Sequence, residues 1–128
     1  MLSKQKGDIA IGHAIAYFMA HGYEVCLPIG DKRDYDMVVE KDGNLARVQV
    51  KYAGWYGDRR RHQAALRVMG GNQSFHTAKK YGDDAFEYLF VHTANGSSYL
   101  IPWKSLAIRS YLSIDAEKYI PYKISMQG

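Results

Sequence analysis

Asp36, Gln49 and Lys51 combine side chains that suit chemistry on a phosphodiester bond. Mg²⁺ prefers hard oxygen ligands, which a carboxylate and an amide carbonyl both supply. A lysine near the reacting phosphate can stabilise the negative charge that develops there. The main-chain carbonyl of Val50, between Gln49 and Lys51, could complete a set of three protein ligands. These residue types could therefore supply the parts for magnesium-dependent hydrolysis of a phosphate ester.

A predicted β-hairpin must position these residues. Residues 35–40 and 45–52 have strand patterns, and Asp42-Gly43 between them is a strong hairpin turn signal. Because side chains alternate along a strand, Gln49 and Lys51 project from the same face of the second strand. Any hairpin with a solvated face shows the same alternation of polar residues. The spacing alone therefore leaves two interpretations open: a catalytic site, or an ordinary solvent-exposed strand face.

The other predicted elements surround this hairpin. A helix over residues 7–21, ended by Gly22, comes first, and it is apolar almost all round, which favours burial or pairing with another subunit. A helix followed by strands predicts an α/β (α+β mixed sheet) fold around one central sheet. The 128 residues are predicted to form a single domain, 1–128. The remaining elements are predicted as strands at 23–29, 64–69, 87–93 and 98–101, a loop at 54–62 and a short helix at 103–108.

Composition excludes several classes of protein. The net charge of +4 is compatible with a polyanionic partner. The single cysteine, Cys26, excludes an intramolecular disulfide and a cysteine-cluster zinc site, and we expect it to be a buried small hydrophobe. No run approaches the roughly 18 apolar residues of a membrane span. The N-terminus has no signal-peptide pattern, so a cytoplasmic protein is predicted.

The pattern D-x(12)-Q-x-K, after the helix KGDIAIGHAIAYF and the segment HGYEVCLPIGD, resembles the core of PD-(D/E)xK nucleases. The form with glutamine in the acidic position resembles the branch of group I intron-encoded homing endonucleases. The resemblance spans about residues 6 to 103 and matches the order of elements predicted above. It implies a restriction-endonuclease-like core, in which an N-terminal helix precedes a mixed central β-sheet flanked by helices.

The resemblance also implies roles for individual residues. Asp36 is a metal ligand, Gln49 occupies the second acidic position and Lys51 is the catalytic lysine of an endonuclease that uses Mg²⁺, with Mn²⁺ as a substitute. Many relatives carry a glutamate on the first helix, in the pattern KGDIAE, where this chain has Ile11. Asp8, one turn earlier on the same helix face, could substitute at longer reach. With Ile11 in place of that glutamate we expect weak metal binding and weak activity.

Basic and polar residues after the hairpin are candidates for contacts with double-stranded DNA. Three arginines follow two aromatic residues in the segment GWYGDRRRH, and adjacent arginines suit phosphate contacts. The strand at 64–69 could enter a groove as part of a ribbon. The candidates are Arg59, Arg60, Arg61, Gln63, Arg67, Asn72, Gln73 and Lys79.

Cleavage of both strands requires two sites, so a homodimer or homotetramer is predicted, with the apolar first helix and the tyrosine-rich tail after residue 110 as candidate interfaces. The leading prediction is an endonuclease that cuts duplex DNA at a specific site. Two alternatives remain: a nuclease like the Holliday-junction resolvases, which read shape, and a DNA-binding protein that kept the fold and lost catalysis. Ile11 and Gln49 both favour the second alternative.

Overall fold

The computed structural model describes residues 1–30, 32–68, 79–107 and 110–126, with only the main chain described at Val68 and Lys79. The elements follow one another from a long helix into a series of short strands. Two 3-10 helices, Trp103–Ser105 and Glu117–Tyr122, lie among the later strands. The other elements are α1 Ser3–Ala20, β1 Glu24–Cys26, β2 Met37–Lys41, β3 Asn44–Tyr56, β4 Arg61–Ala65, β5 Arg67–Val68, β6 Lys79–Lys80, β7 Tyr88–Thr93, β8 Ser98–Pro102, β9 Tyr111–Ser113 and β10 Lys123–Ile124.

The central sheet is mixed, and β3 lies near its middle. The strand order is β1-β2-β3-β7-β8-β10, and the far end of β3 also pairs with β4, which in turn pairs with β9. Only β3 and β7 run parallel; the other described pairs are antiparallel. Strands β5 and β6 form a separate two-stranded ribbon. A parallel pair needs a long connection, and the chain between β3 and β7 contains β4, β5 and β6.

The β2–β3 hairpin forms as its turn residues predict. Asp42 and Gly43 both have positive φ, 54° and 82°, which is the backbone of a two-residue hairpin turn. The register pairs Met37 with Val48 and Lys41 with Asn44. This register fixes which side chains of β3 face each side of the sheet.

Two apolar clusters cover the two faces of the sheet. On one face α1 packs Ala10, Ala14 and Phe18 against a cluster that includes Val48 and Val50 of β3. The opposite face has a larger cluster, formed by residues that include Leu89, Trp103, Leu112 and Tyr119. The alternation along β3 therefore points its valines to α1, and Gln49 and Lys51 to the other face.

Several element predictions need correction. The loop predicted at 54–62 is shorter, because residues 54–56 continue β3 and residues 61–62 begin β4, and these two stretches pair with each other. The strand predicted at 64–69 divides into the end of β4 and β5. Cys26 is exposed rather than buried, because β1 is a three-residue edge strand whose outward side is not covered. Helix α1 begins at Ser3, four residues earlier than predicted.

The predicted α/β fold is confirmed: an N-terminal helix precedes a mixed central sheet. In the described residues the flanking helices are α1 on one face and two 3-10 helices, and the short helix predicted at 103–108 is the 3-10 helix Trp103–Ser105. Across these same residues, no helix is long and apolar enough to cross a membrane.

Candidate active site

Two hydrogen bonds with the main chain of β3 hold Asp36 in place directly before β2. Its main-chain N–H donates to the carbonyl of Val48 at 2.8 Å. Its carboxylate oxygen Oδ2 accepts from the main-chain N–H of Val50 at 2.7 Å. The carboxylate is therefore fixed beside the side chain of Gln49.

The buried amide of Gln49 lies between Asp36 and Tyr81, and its two orientations make different contacts. With the nitrogen toward Asp36, Nε2 donates to Asp36 Oδ2 at 2.7 Å and to the main-chain carbonyl of Asp34 at 3.2 Å, and Oε1 accepts from the Tyr81 hydroxyl at 2.9 Å. With the amide reversed, Nε2 donates to the Tyr81 hydroxyl at 2.9 Å and Oε1 faces those two oxygens. The hydrogen-bond network assigns the first orientation to the protein without a cation, since every polar atom then has a partner.

Lys51 follows two residues later and points into the same site. Its Nζ lies 3.4 Å from the main-chain carbonyl of Arg67, to which it donates, and 5.3 Å from the centre of the Tyr81 ring. Lys51 is half-buried, and its neighbours include the carboxylate of Asp36. The hairpin thus brings an acid, an amide and a lysine together around the buried Gln49, with Asp36 and Lys51 half-buried.

Burial destabilises the charged forms of all three titratable groups. It raises the pKa of the Asp36 carboxyl, against the opposing effects of the Val50 N–H and of Lys51. It lowers the pKa of Lys51, which the charge of Asp36 partly offsets. It raises the pKa of Tyr81 to about 12, so that this hydroxyl keeps its proton at any physiological pH. Shifts of this kind, on groups that share one site, are typical of functional sites.

The oxygen atoms at this site fit a hard divalent cation. When Oε1 of Gln49 faces Asp36 Oδ2 and the Asp34 carbonyl, three oxygens meet with no hydrogen between them, and a cation would neutralise that repulsion. Within residues 1–30, 32–68, 79–107 and 110–126, no group of three or more His, Cys, Asp or Glu side chains is placed to hold a metal ion. The candidate set therefore combines one carboxylate with neutral oxygens.

The other proposed ligands occupy different positions. Asp8 is an exposed residue of α1, which packs on the opposite face of the sheet from Gln49. Ile11, which the resemblance aligns with a glutamate, packs against the apolar cluster beneath α1. The Val50 main chain meets Asp36 through its N–H. Metal binding by Asp8 and by the Val50 carbonyl stays a prediction.

A sequence profile of the PD-(D/E)XK endonuclease family matches residues 1–118, which contain the whole candidate site. The chain belongs to the PD-(D/E)XK endonuclease family. A solved structure of a bacterial homing endonuclease, I-Ssp6803I, superimposes with a TM-score of 0.85 at 23% sequence identity, covering 96% of this chain and 89% of that chain. No curated protein sequence matches significantly. The predicted nuclease family is thus confirmed, and the likeness to I-Ssp6803I shows the fold.

Tyr81 is a residue of this candidate site that the sequence did not predict. It is 7% exposed, and its hydroxyl reaches Gln49 from a segment 32 residues further along the chain. Its ring makes edge contacts with Phe86 and Trp103, with ring centres 5.2 and 6.1 Å away, which fix its position. The sequence carries no spacing signal for this contact, because it depends on how the chain returns after β6.

The structure places the predicted DNA-contact residues in two groups. Arg59, Arg60 and Arg61 are exposed at the β3–β4 turn, and Arg59 donates to the buried Gln63 at 3.1 Å. Arg67 lies beside the site, with its guanidinium 5.8 Å from the centre of the Tyr111 ring. Asn72 and Gln73, and the side chain of Lys79, lie outside the described residues.

Proposed function

We propose that this PD-(D/E)XK family member is a Mg²⁺-dependent endonuclease that hydrolyses phosphodiester bonds of double-stranded DNA at a specific site. The observation that carries the proposal is the convergence of Asp36, Gln49 and Lys51 in one partly buried site on adjacent strands. The name of its structural neighbour, a bacterial homing endonuclease, supports a specific duplex target.

In this proposal each residue has a defined task. Asp36 and Gln49, with the Asp34 and Val50 carbonyls and Asp8 as further candidates, hold Mg²⁺ or Mn²⁺. When bound, the cation supplies Lewis-acid polarisation of the scissile phosphate. Lys51 holds its ammonium in a site with little solvent, where its charge stabilises negative charge on the phosphate more strongly than it would in water.

The basic β3–β4 turn supports DNA as the substrate. Strand β3 runs directly from Lys51 to this turn, about 20 Å away at ~3.3 Å per residue. At this turn, DNA phosphates would contact Arg59, Arg60 and Arg61. Arg67 would contact the DNA strand that lies next to Lys51. The same duplex could then contact both the turn and the site.

Cleavage of plasmid libraries in Mg²⁺ or Mn²⁺, followed by sequencing of the cut ends, tests the activity and its specificity. Asp36→Asn and Lys51→Ala should each lower the cleavage rate by about 10²-fold or more while DNA binding persists. Lys104→Ala is the matched control, because Lys104 is 76% exposed and pairs with Asp84. Wild-type rates in both site variants would refute the assignment, and preferential cutting of four-way junctions would favour the resolvase alternative.

A second candidate function is DNA binding without efficient catalysis. The half-buried Ile11 leaves α1 without the glutamate of many relatives, and Asp36 is the single carboxylate at the amide of Gln49 in the described residues. Calorimetric titration with Mg²⁺ and Mn²⁺, with and without DNA, separates the two functions. Binding of DNA but of neither cation at millimolar concentration would establish this second function.

The outward face of α1 supports a homodimer. Opposite its buried side, exposed residues recur at intervals of three and four, the spacing of a helix-pairing seam. Gly12 and Ala16 at its centre would let a second helix approach closely, and the space above Gly12 is open for 4 Å. The seam consists of Leu2, Gln5, Ile9, Gly12, Ala16 and Met19.

Sedimentation of two charge variants tests this interface. Ala16→Glu, in the seam, should shift the protein toward the monomer, because it would bury a carboxylate between two apolar helices. Lys4→Glu lies on the same helix outside the seam and should leave the assembly unchanged. A wild-type monomer, or equal behaviour of the two variants, would contradict this interface; a tetramer would need a second one.

A further inference from the structure

The Gln49 amide can form a hydrogen bond with the Tyr81 hydroxyl in either of its two orientations, because a hydroxyl can both donate and accept. In one orientation the Tyr81 hydroxyl donates to Oε1, and in the other it accepts from Nε2, at 2.9 Å in each case. The contact with Tyr81 is therefore kept in both orientations, whereas the contacts on the Asp36 side are attractive in one and repulsive in the other. There the amide offers either two hydrogens or one oxygen to Asp36 Oδ2 and the Asp34 carbonyl.

Tyr81 is built to serve both orientations. A hydroxyl can donate one hydrogen bond and accept others, so that reversal of the amide does not require the ring to move. The contacts with Phe86 and Trp103 hold the ring in place, and the side chain is 93% buried. A phenylalanine of the same shape would fill the space but could contact neither end of the amide.

We propose that binding of a divalent cation reverses the Gln49 amide, and that Tyr81 is the positioning residue that holds the amide in both states. This inference rests on the metal-dependent function proposed above. Without a cation, the NH₂ group donates to the Asp36 carboxylate, and the Tyr81 hydroxyl donates to Oε1. With a cation, Oε1 joins Asp36 Oδ2 and the Asp34 carbonyl as a ligand, and Tyr81 accepts.

The reversal gives a physical reason for an amide where an acid is the commoner metal ligand. A carboxylate at position 49 would face the Asp36 carboxylate and the Asp34 carbonyl. It has no N–H to donate to them, so the oxygens would repel one another. The amide keeps the site paired until the cation arrives, but binding must then break a charge-assisted hydrogen bond to Asp36. Gln49→Glu should therefore bind Mg²⁺ more tightly and be less stable than the wild type without it.

Nuclear magnetic resonance of the metal-free protein during titration with Mg²⁺ alone tests the proposal without any cleavage assay. The Val50 N–H reports on the Asp36 carboxylate, because it donates to Oδ2. The side-chain NH₂ of Gln49, assigned with ¹⁵N-glutamine and the Gln49→Glu variant, reports on the amide. Both signals should shift along the same binding curve, as the NH₂ group leaves Asp36 for Tyr81.

Each outcome has a separate meaning. If the Val50 signal shifts while the Gln49 NH₂ signal keeps its metal-free position, Mg²⁺ binds at Asp36 and the reversal is wrong. If neither signal shifts at millimolar Mg²⁺, the proposed metal site itself is wrong, and the reversal with it. Common shifts at both positions support both proposals.

Tyr81→Phe distinguishes a positioning role of the tyrosine from a purely structural one, because only a positioning role predicts a change that depends on Mg²⁺. Without a cation the NH₂ group still donates to Asp36, so its exchange with solvent hydrogen should stay close to that of the wild type. With Mg²⁺ bound the NH₂ group has lost its acceptor, and exchange should accelerate by about tenfold. The matched control is Tyr119→Phe, at a tyrosine that is 5% exposed. Equal exchange rates in Mg²⁺-bound Tyr81→Phe and wild type would overturn the role of Tyr81.

Discussion

The two faces of β3 show how one strand serves both folding and function. Toward α1, Val48 and Val50 join an apolar cluster that contains Phe18 and Phe90. On the other face, Gln49 and Lys51 bring an amide and an ammonium into the middle of the protein. The alternation of a single strand therefore separates residues that stabilise the fold from residues that its activity would need.

The polar face is tolerated because its groups are partners of one another. Asp36 accepts from the Val50 N–H, and Gln49 bridges Asp36 and Tyr81. Burial nevertheless raises the pKa of Asp36 and lowers that of Lys51, which means that both charged forms are disfavoured in the folded protein. Substitutions on the two faces should accordingly have opposite profiles: loss of stability on the α1 face, and loss of function on the site face.

Phe90→Ala should have the largest effect on stability. Phe90 is fully buried beneath α1, with its ring centre 6.0 Å from that of Tyr17 and 6.3 Å from that of Phe18. Removing the ring should lower the free energy of unfolding by about 3–5 kcal/mol, because it leaves a cavity that the rigid sheet cannot fill. Urea unfolding followed by circular dichroism measures this loss. A loss below about 1 kcal/mol would mean that α1 repacks freely on the sheet.

Lys51→Met should have a much smaller effect on stability, and of the opposite sign. The folded-state pKa of Lys51 lies below that of an unfolded lysine, so Lys51 contributes stability only at alkaline pH and this contribution is lost as the pH falls. At pH 7 the desolvation of the ammonium outweighs its attraction to Asp36. The variant should therefore unfold at an equal or slightly higher urea concentration than the wild type.

The control for this prediction is Lys104→Met, at an exposed lysine, which should change the unfolding midpoint very little. A destabilisation of Lys51→Met as large as that of Phe90→Ala would show that the two faces of β3 contribute alike.

The sequence predicts the polar face of β3 well because local rules determine it. Asp42-Gly43 sets the hairpin and its register, and the register places Gln49 and Lys51 together beside Asp36. These are short-range consequences of turn chemistry and of the two-residue period of a strand. Most of the candidate site was therefore predictable without the fold.

Contacts between distant segments were not predictable. The sequence predicts a loop from residue 54, yet β3 continues to Tyr56 because β4 pairs with it. Cys26 has an apolar sequence context, but its exposure depends on β1 being at the sheet edge. Tyr81 enters the site only through tertiary packing, which no periodicity in the chain encodes. In each case long-range pairing decided the outcome over local propensity.

A pH titration followed by the Val50 N–H signal measures the pKa of Asp36 on the polar face of β3. Burial raises the pKa of Asp36, and the Val50 N–H and Lys51 oppose this rise. Stability from the protonated form is thus present at acid pH and is lost as the pH rises through this elevated pKa. Lys51→Met removes one opposing cause, so the midpoint reported by the Val50 signal should move to higher pH. An unchanged or lower midpoint would mean that Lys51 does not act on Asp36.

The smallest effect should come from Glu87→Gln, at the solvated end of the same polar face. Arg47 Nη2 lies 2.5 Å from Glu87 Oε2, and the two side chains are 38% and 43% exposed. Loss of this ion pair should lower stability by about 0.2–1 kcal/mol at pH 7, since water screens both charges and the glutamine oxygen can still accept from the Arg47 main-chain N–H.

The pH dependence of this small effect separates the pair from its surroundings. The hydrogen bond from Arg47 lowers the pKa of Glu87, so its contribution is present above the pKa of an unfolded glutamate and is lost as the pH falls through the lowered value. Urea unfolding of wild type and variant should therefore converge in acid and in high salt. If Glu87→Gln instead lowered the free energy of unfolding as much as Phe90→Ala, exposure to solvent would not determine how much the charges of Arg47 and Lys51 affect stability. Burial would then no longer distinguish the inner part of this face from the outer part.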